Sequence, residues 1–437
     1  MATFFVENFG CRATQAEGAA IVSQLVKRGH VPAGRAEADL IILNTCTVTA
    51  AADEDVRQAV YRIRRENPDA RILIAGCYAQ RAPQEAAALP GVACVVGNSH
   101  KAQLAELIRE LDGDGLTHCR IYVGDANGAA SFPGVEPEFA AGDRTRPNLK
   151  IQDGCSFHCA FCIIPAVRGR SRSAPADWVV EQVRRLSAHY REIVLSGINL
   201  GRWGRDLPGR NRLPDLLRRL LGETDVERLR LSSVEPMDLS DDLLGLMAGS
   251  RRIAQHIHAP LQSGSDNILR RMRRWYRARH YADRILKARA WMPDAAIGAD
   301  VMVGFPGESD EDFQETVRLI ESLPFTYLHV FTYSPRPGTP AAAMPDQVPI
   351  KVRKERNRIL RELAARKNLE FRQRMVGRRL SVLTLEAGQA ALSDNYLKVE
   401  LAATRRPNRI IEVEIGGLTA TGVCERVPTE PEERRRQ

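Results

Sequence analysis

The sequence predicts an α/β protein in three successive parts: a doubly wound parallel sheet, a partial barrel of six strand–helix units, and a small β-barrel. Three observations predict it. Apolar runs alternate with helical stretches from Thr3 to Gly97, a second alternation of six units starts at Leu149, and after Gly377 the chain turns to short strands with no helix between them. The parts are expected at residues 1–112, 148–348 and 377–437, with a linker at 113–147 and a basic helix at 349–376.

In the first part, Phe4–Val6, Leu40–Leu43, Ile72–Ala75 and Val92–Val96 are the expected buried strands. Gln15–Arg28 and Ala50–Glu66 are the clearest helices between them. The segment after Asp112 is rich in Gly, Pro and Asp, which marks a linker. In the second part the expected strands are Leu149–Gln152, Glu192–Gly197, Arg228–Val234, Gln255–Pro260, Ile297–Val303 and Tyr327–Tyr333. The helices between them are Ala176–His189, Leu213–Leu221, Ser240–Met247, Asp266–Trp291 and Asp310–Leu323. Six units make a partial (β/α)6 barrel, whose chemistry belongs at the C-terminal strand ends. The long helix after Pro349 puts Leu360, Leu363, Ala364, Phe371 and Met375 on one face. The last part has expected strands at Leu380–Leu385, Tyr396–Leu401, Ile410–Ile415 and Leu418–Cys424.

At 437 residues the chain is too long for one core, and 44% hydrophobic with 27% charged residues is the balance of a soluble globular protein. No apolar run approaches the roughly 20 residues of a membrane span. The N-terminus reads as an alternating strand and not as a signal peptide, so a cytoplasmic protein is expected. In a reducing cytosol its nine cysteines are not read as disulfides, which leaves metal ligation, catalysis or burial. The net charge of +9 is matched by Lys351–Leu380 alone, which holds twelve Lys and Arg against three Glu. An excess this local marks a surface for a polyanion, nucleic acid above all, although a solvated helix face has the same composition.

The sharpest chemical signal is Cys155-Ser-Phe-His-Cys159-Ala-Phe-Cys162, directly after the first barrel strand. Three thiolates on one short loop can each take one iron of a 4Fe–4S cube, leaving the fourth iron open to a small molecule. Zinc usually takes four protein ligands, and no fourth Cys or His completes a familiar spacing. Cys11, Cys46 and Cys77 each follow the end of an expected parallel strand, the edge where open α/β sheets place ligands. They are either the ligands of a second metal centre or buried structural cysteines. Cys94, Cys119 and Cys424 show no such placement.

Ser196-Gly197-Ile-Asn199-Leu-Gly201 and Gly304-Phe-Pro-Gly-Glu308 follow the second and fifth barrel strands. Glycines there permit close approach to an adenosine-bearing cofactor, and they also suit plain turns. His256 and His258 alternate on a strand and read as packed or hydrogen-bonded histidines.

Phe9-Gly-Cys11, Asn44-Thr-Cys46-Thr-Val-Thr49, Gly76-Cys77-Tyr-Ala-Gln80 and Asp153-Gly-Cys155 through Pro165 occur in an order that resembles the methylthiotransferases of the radical S-adenosylmethionine (SAM) superfamily. Arg168-Gly-Arg-Ser-Arg172, Pro260-Leu-Gln-Ser-Gly264, Gly304–Glu308 and His329 through Pro340 extend the resemblance over nearly the whole chain. The chain departs from the family pattern at Thr14, at Ala259 and in the longer Arg273-Arg-Trp-Tyr276.

The resemblance implies a radical SAM core followed by a TRAM-type RNA-binding module. It implies two 4Fe–4S clusters with SAM. Cys155, Cys159 and Cys162 then hold the cluster that cleaves SAM and generates a deoxyadenosyl radical. Cys11, Cys46 and Cys77 hold an auxiliary cluster that delivers methylated sulfur. Ser196, Gly197, Asn199, Gly304 and Glu308 are the expected cofactor contacts. The partners implied are a tRNA anticodon loop and an electron donor of the flavodoxin or ferredoxin type, with no membrane and an oligomeric state left open. Asn44–Thr49 and Ser393-Asp-Asn-Tyr-Leu-Lys-Val399 look most like the branch acting on threonylcarbamoyladenosine at tRNA position 37. The alternatives are isopentenyladenosine at that position and an aspartate of a ribosomal protein. From another class, a non-catalytic RNA-binding iron–sulfur protein would account for one basic module but not for two cysteine triads.

Overall fold

A computed structural model describes residues 2–111, 119–128, 132, 145–209 and 211–427. Its first sheet is wholly parallel, with strands β1 (Thr3–Asn8), β2 (Val31–Pro32), β3 (Leu40–Thr45), β4 (Arg71–Gly76), β5 (Val92–Gly97) and β6 (Arg120–Tyr122) in the order β2-β1-β3-β4-β5-β6. Strand β3, Leu-Ile-Ile-Leu-Asn-Thr, is buried along its whole length because helices cover both faces of the sheet. Val56, Val60 and Ile63 pack on one face with Ile41 and Ile72, and Ile21, Leu25 and Leu104 pack on the other with Ile42 and Leu73. The chain leaves β1 toward β2 on one side and returns to β3 on the other. The gap between β1 and β3 is therefore the topological switch point, where such folds bind ligands.

Strand β6 corrects the linker expected at 113–147. It pairs with β5 in the register Cys94↔Arg120, and Cys119 directly precedes it. Three residues are too few to show an alternating pattern, and the backbone edge of β5 organises them. The linker positions 113–118, 129–131 and 133–144 lie outside the described residues.

The second part has β7 (Asn148–Asp153), β8 (Arg172–Ser173), β9 (Glu192–Gly197), β10 (Arg228–Leu231), β11 (His256–His258), β12 (Ala296–Val303) and β13 (Tyr327–Thr332). One sheet runs β10-β9-β7-β8 and the other β11-β12-β13, and all strands but β8 are parallel. A bridge between Leu229 and Ile253 and a hydrogen bond from Val234 N to His258 O (2.9 Å) join the two into the expected six-unit partial barrel. Leu149, Ile151, Ile193, Leu195, Leu229 and Ile297 turn outward into one large core with the surrounding helices.

Alternation sends the intervening side chains into the lumen. The single helix expected over 266–291 is two, Asp266–Arg271 and Ala278–Trp291. Between them Arg273 adopts a left-handed φ of 58°, which turns Arg274 and Trp275 toward the cysteine loop.

Helix Ile350–Met375 buries Leu360, Leu363, Phe371 and Met375 and leads into a closed barrel. Its strands are β14 (Arg379–Thr384), β15 (Ala390–Ser393), β16 (Lys398–Glu400), β17 (Ile410–Leu418) and β18 (Val423–Glu425), ordered β14-β15-β16-β18-β17. Four strands were expected there. The fifth, β15, is Ala-Ala-Leu-Ser and carries none of the β-branched or aromatic residues that mark a strand. The small barrel docks on the larger one, where Arg230 donates to the carbonyls of Ser393 (2.9 Å) and Asp394 (3.0 Å). No helix among the described residues is long and apolar enough to cross a membrane.

Candidate active site

Cys11 and Cys46 follow β1 and β3 and so flank the switch point, and Cys77 follows β4. Gly10 takes φ 129°, and a Cβ there would lie 2.5 Å from Cys46 Cβ, so only glycine lets the two turns come this close. Burial pushes the Cys46 thiol up to about 12, with the neighbouring Cys77 and Cys11 adding to the shift. A thiol whose ionisation is opposed in this way fits a cationic metal centre, which would hold it as a thiolate.

The second triad lies on the loop after β7. Burial pushes Cys162 up to about 12, again with its neighbours Cys159 and Cys155 contributing. Phe157 N (3.4 Å) and Asn199 Nδ2 (3.8 Å) donate to Cys155 Sγ, and Arg274 NH1 donates to Cys159 Sγ at 3.3 Å. Arg274 also pairs with Glu235, and Trp275, 74% exposed, stacks on Phe157 at 6.4 Å. His258, Asp300 and His329 bring their ligand atoms within 4.8 Å of one another, the spacing a single ion would need. A 4Fe–4S cube would instead place each thiolate of a cysteine triad on its own iron.

The first triad meets the loop of the second through Cys77. Cys77 packs against Ile163 and Val167, just after Cys162, and Asn98 Nδ2 spans Cys77 Sγ (3.4 Å) and Val167 O (2.8 Å). Of the expected cofactor contacts, Asn199 lies beside the second triad, while Ser196 and Gly197 pair with Lys150 and Gln152 on the strand before it. Asn199 N donates to Gln152 Oε1 at 2.7 Å, while its own Oδ1 is buried without a partner, an acceptor ready for a ligand donor. Gly304 and Glu308 are engaged elsewhere. Glu308 accepts from Gly304 N and from Arg356, both at 2.6 Å, and Arg353 packs over Gly304. Phe305, between them, is what reaches the cysteine loop, at 6.5 Å from Phe161.

Residues 3–97 match a family described as Uncharacterized protein family UPF0004, and residues 149–320 match the Radical SAM superfamily. The chain is 36% identical over 411 residues to threonylcarbamoyladenosine tRNA methylthiotransferase MtaB of Aquifex aeolicus, covering 94% of this chain and 99% of that one. It is 37% identical to the MtaB of Bacillus subtilis, with 95% and 94% covered. The chain belongs to the radical SAM methylthiotransferases. It is also 36% identical to tRNA-2-methylthio-N(6)-dimethylallyladenosine synthase of Syntrophobacter fumaroxidans, covering 83% of this chain and 80% of that one. Among solved structures, the radical SAM methyltransferase TsrM of Kitasatospora setae shares the fold at a TM-score of 0.57 and 16% identity, with 78% and 76% covered.

Two charge networks of this methylthiotransferase were not legible in its sequence. Arg168 donates to Glu17 (2.6 Å) and Asp153 (2.9 Å), and Glu17 also takes Lys101 (2.5 Å) and Lys150 (2.8 Å), all buried or nearly so. This knot fastens the helix after Cys11 to the strand before Cys155. Arg336 reaches Thr47 (2.8 Å) and Asp53, which Arg81 also holds at 3.1 Å, and so ties the Cys46 turn to the loop after β13.

The basic helix needs correcting as well. Arg353 and Arg356 are buried, Arg358 pairs with Glu355 and Glu362, Arg372 binds the carbonyls of Thr419 and Gly422, and Arg374 that of Pro293. Much of its charge therefore straps the two barrels together. Lys351, Lys354, Arg361, Arg378 and Arg379 stay exposed.

Proposed function

We propose that the protein adds a methylthio group to carbon 2 of N6-threonylcarbamoyladenosine at position 37 of tRNA. The observation that carries this is the packing of Cys77 against the helix that follows Cys162, in a chain whose relatives at 34–37% identity are named for this modification. Cys155, Cys159 and Cys162 hold the SAM-cleaving 4Fe–4S cluster, and Cys11, Cys46 and Cys77 hold the sulfur-delivering one. Bound together, these groups supply a carbon-centred radical and a methylated sulfur, chemistry that no side chain offers at an unactivated C–H bond.

The chain's own residues orient. Asn199 fixes Cys155 and presents an unpartnered oxygen to SAM, and Arg274 donates to Cys159 while Glu235 balances its charge. The Arg168 and Arg336 networks keep the two triads in one frame. A flavodoxin- or ferredoxin-type donor supplies the electron, and the cytoplasm is the setting.

The test is methylthiolation of defined tRNAs by reconstituted enzyme, followed by mass spectrometry of the nucleosides. tRNA carrying the threonylcarbamoyl group should be converted, and tRNA lacking it should be untouched. Conversion confined to isopentenylated tRNA would assign the protein to the other branch.

The closed small barrel acts as the TRAM-type RNA module, and the exposed cations of the helix that enters it meet phosphates. About four such contacts give a slope of log affinity against log salt near −3, at roughly −0.7 per contact on single strands. Replacing Lys351 and Lys354 by Gln should flatten that slope by about 1.4. An unchanged slope in binding titrations would place the phosphate contacts elsewhere.

A further inference from the structure

The lumen of the partial barrel is lined by polar groups where (β/α) barrels are ordinarily filled with Val, Ile and Leu. Ile257, Ile297, Ala299 and Val301 pack outward, and so do Leu328 and Val330, which leaves His256, His258, Asp300, Tyr327 and His329 inside. These five form one hydrogen-bonded chain across three strands. Tyr327 OH lies 2.7 Å from His256 Nε2 and 2.9 Å from His258 Nδ1, His258 Nε2 lies 3.0 Å from Asp300 Oδ1, and that same oxygen lies 3.3 Å from His329 Nδ1. Gly298 makes room for the Tyr327 ring, since a Cβ there would fall 1.9 Å from Cζ.

The chain of groups has a closed end and an open end. At the closed end Tyr396, from the turn between β15 and β16, stacks on His256 at 4.3 Å and accepts from Arg12 NH2 at 3.0 Å. His256 is 2% exposed. At the other end the side chains of Asp300 and His329 are 25% and 54% exposed. Arg12, next to Cys11, bounds the lumen, and the loops after β12 and β13 pack through Phe305 and Tyr333 against Ala160 of the cysteine loop. The open end thus lies toward the C-terminal strand ends, on the side of the cysteine loop after β7.

We propose that Asp300 and His329 recognise the threonylcarbamoyl group of the substrate adenosine, a reading that rests on the function proposed above. Asp300 Oδ1 serves both imidazoles, which leaves Oδ2 to accept from the ureido N–H or the hydroxyl of that group. His329 uses Nδ1 on Asp300 and has Nε2 for its carboxylate. Burial disfavours the charged form of Asp300, yet hydrogen bonds from His258 and His329 hold its carboxyl well below the usual range. An isopentenyl group has no donor and no carboxylate, so binding it would desolvate Asp300 without replacement. Sites built to hydrogen-bond a substrate group reject analogues that lack it far more strongly than apolar pockets reject an extra or missing methylene.

The experiment measures binding of reconstituted enzyme to the same tRNA with and without the threonylcarbamoyl group, alongside product formation. Wild type should prefer the modified tRNA by roughly 10- to 100-fold, the range for hydrogen bonds to charged groups. Asp300→Asn and His329→Ala should bring that preference to within about twofold, with KM for modified tRNA raised and iron content unchanged. His329→Gln, which keeps a donor, should restore part of it. Variants that keep the full preference would overturn the proposal even if wild type converts threonylcarbamoylated tRNA. So would one equivalent of tightly held zinc that disappears in Asp300→Asn, because the ion would then occupy the three ligand atoms. Wild type that converts only isopentenylated tRNA would sink the proposed function itself, a distinct outcome.

Discussion

Replacing Cys155, Cys159 and Cys162 together by Ala is expected to leave about four irons per chain out of about eight and to abolish reductive cleavage of SAM. Replacing Cys11, Cys46 and Cys77 should also leave about four irons while cleavage to deoxyadenosine continues. The proposed roles carry the asymmetry. Cys155, Cys159 and Cys162 sit on one loop at a barrel strand end, next to Asn199 and its unpartnered oxygen, where SAM would reach an open iron. Cys11, Cys46 and Cys77 sit on three turns of another sheet, with Cys77 packed against Ile163 and Val167. Iron analysis, the spectrum of each reconstituted variant and deoxyadenosine release make the measurement. A Cys11/Cys46/Cys77 variant that retains all its iron would show that the switch-point cysteines are structural.

What the sequence revealed of this site follows from how local each signal is. Cys155–Cys162 is a spacing within one loop, so its chemistry can be read from eight consecutive residues. Cys11, Cys46 and Cys77 are far apart in sequence, and only the rule that parallel strands end on one edge brings them together. The Arg168–Glu17 pair obeys no such rule. Its partners are 151 residues apart, and each looks like an ordinary surface charge until packing buries both.

Charge counting reads sign without partners. It therefore does not distinguish the exposed cations of Lys351–Leu380 from Arg353, Arg356, Arg372 and Arg374, which bind carbonyls and carboxylates of the protein itself. The helix break at Arg273 was hidden because a non-glycine residue in the left-handed region has no sequence mark. The lumen was half visible, since His256 and His258 show the alternation of a strand, but their partners on β12 and β13 emerge only with the register.

Glu192→Ala is expected to be the most destabilising single substitution at the join between the two barrels, by about 3–5 kcal/mol, the cost of removing one partner of a buried ion pair. Glu192 is 0% exposed and holds three arginines, with Arg230 at 2.8 Å, Arg146 at 3.2 Å and Arg228 at 3.4 Å. Removing the carboxylate leaves those guanidiniums facing one another in the floor of the lumen. Arg230 is also the residue that grips the carbonyls of Ser393 and Asp394, so hydrogen exchange should rise in the turn that carries Tyr396.

The same group sets an acid limit. Burial opposes ionisation of Glu192, but the Arg230, Arg146 and Arg228 charges prevail and bring it down to about 2. A carboxyl ionises near pH 4.3 in an unfolded chain, so its folded value is the depressed one. The stability it contributes, about 3 kcal/mol from a shift of roughly two units, is present above that value and is lost as pH falls toward 2. Urea titrations of anaerobic holoprotein should therefore show wild type losing stability between about pH 5 and 2 more steeply than Glu192→Gln, which has no carboxyl to protonate. Equal slopes for the two proteins would mean that Glu192 is not ionised in the folded state and that Arg230 is held by the carbonyls alone.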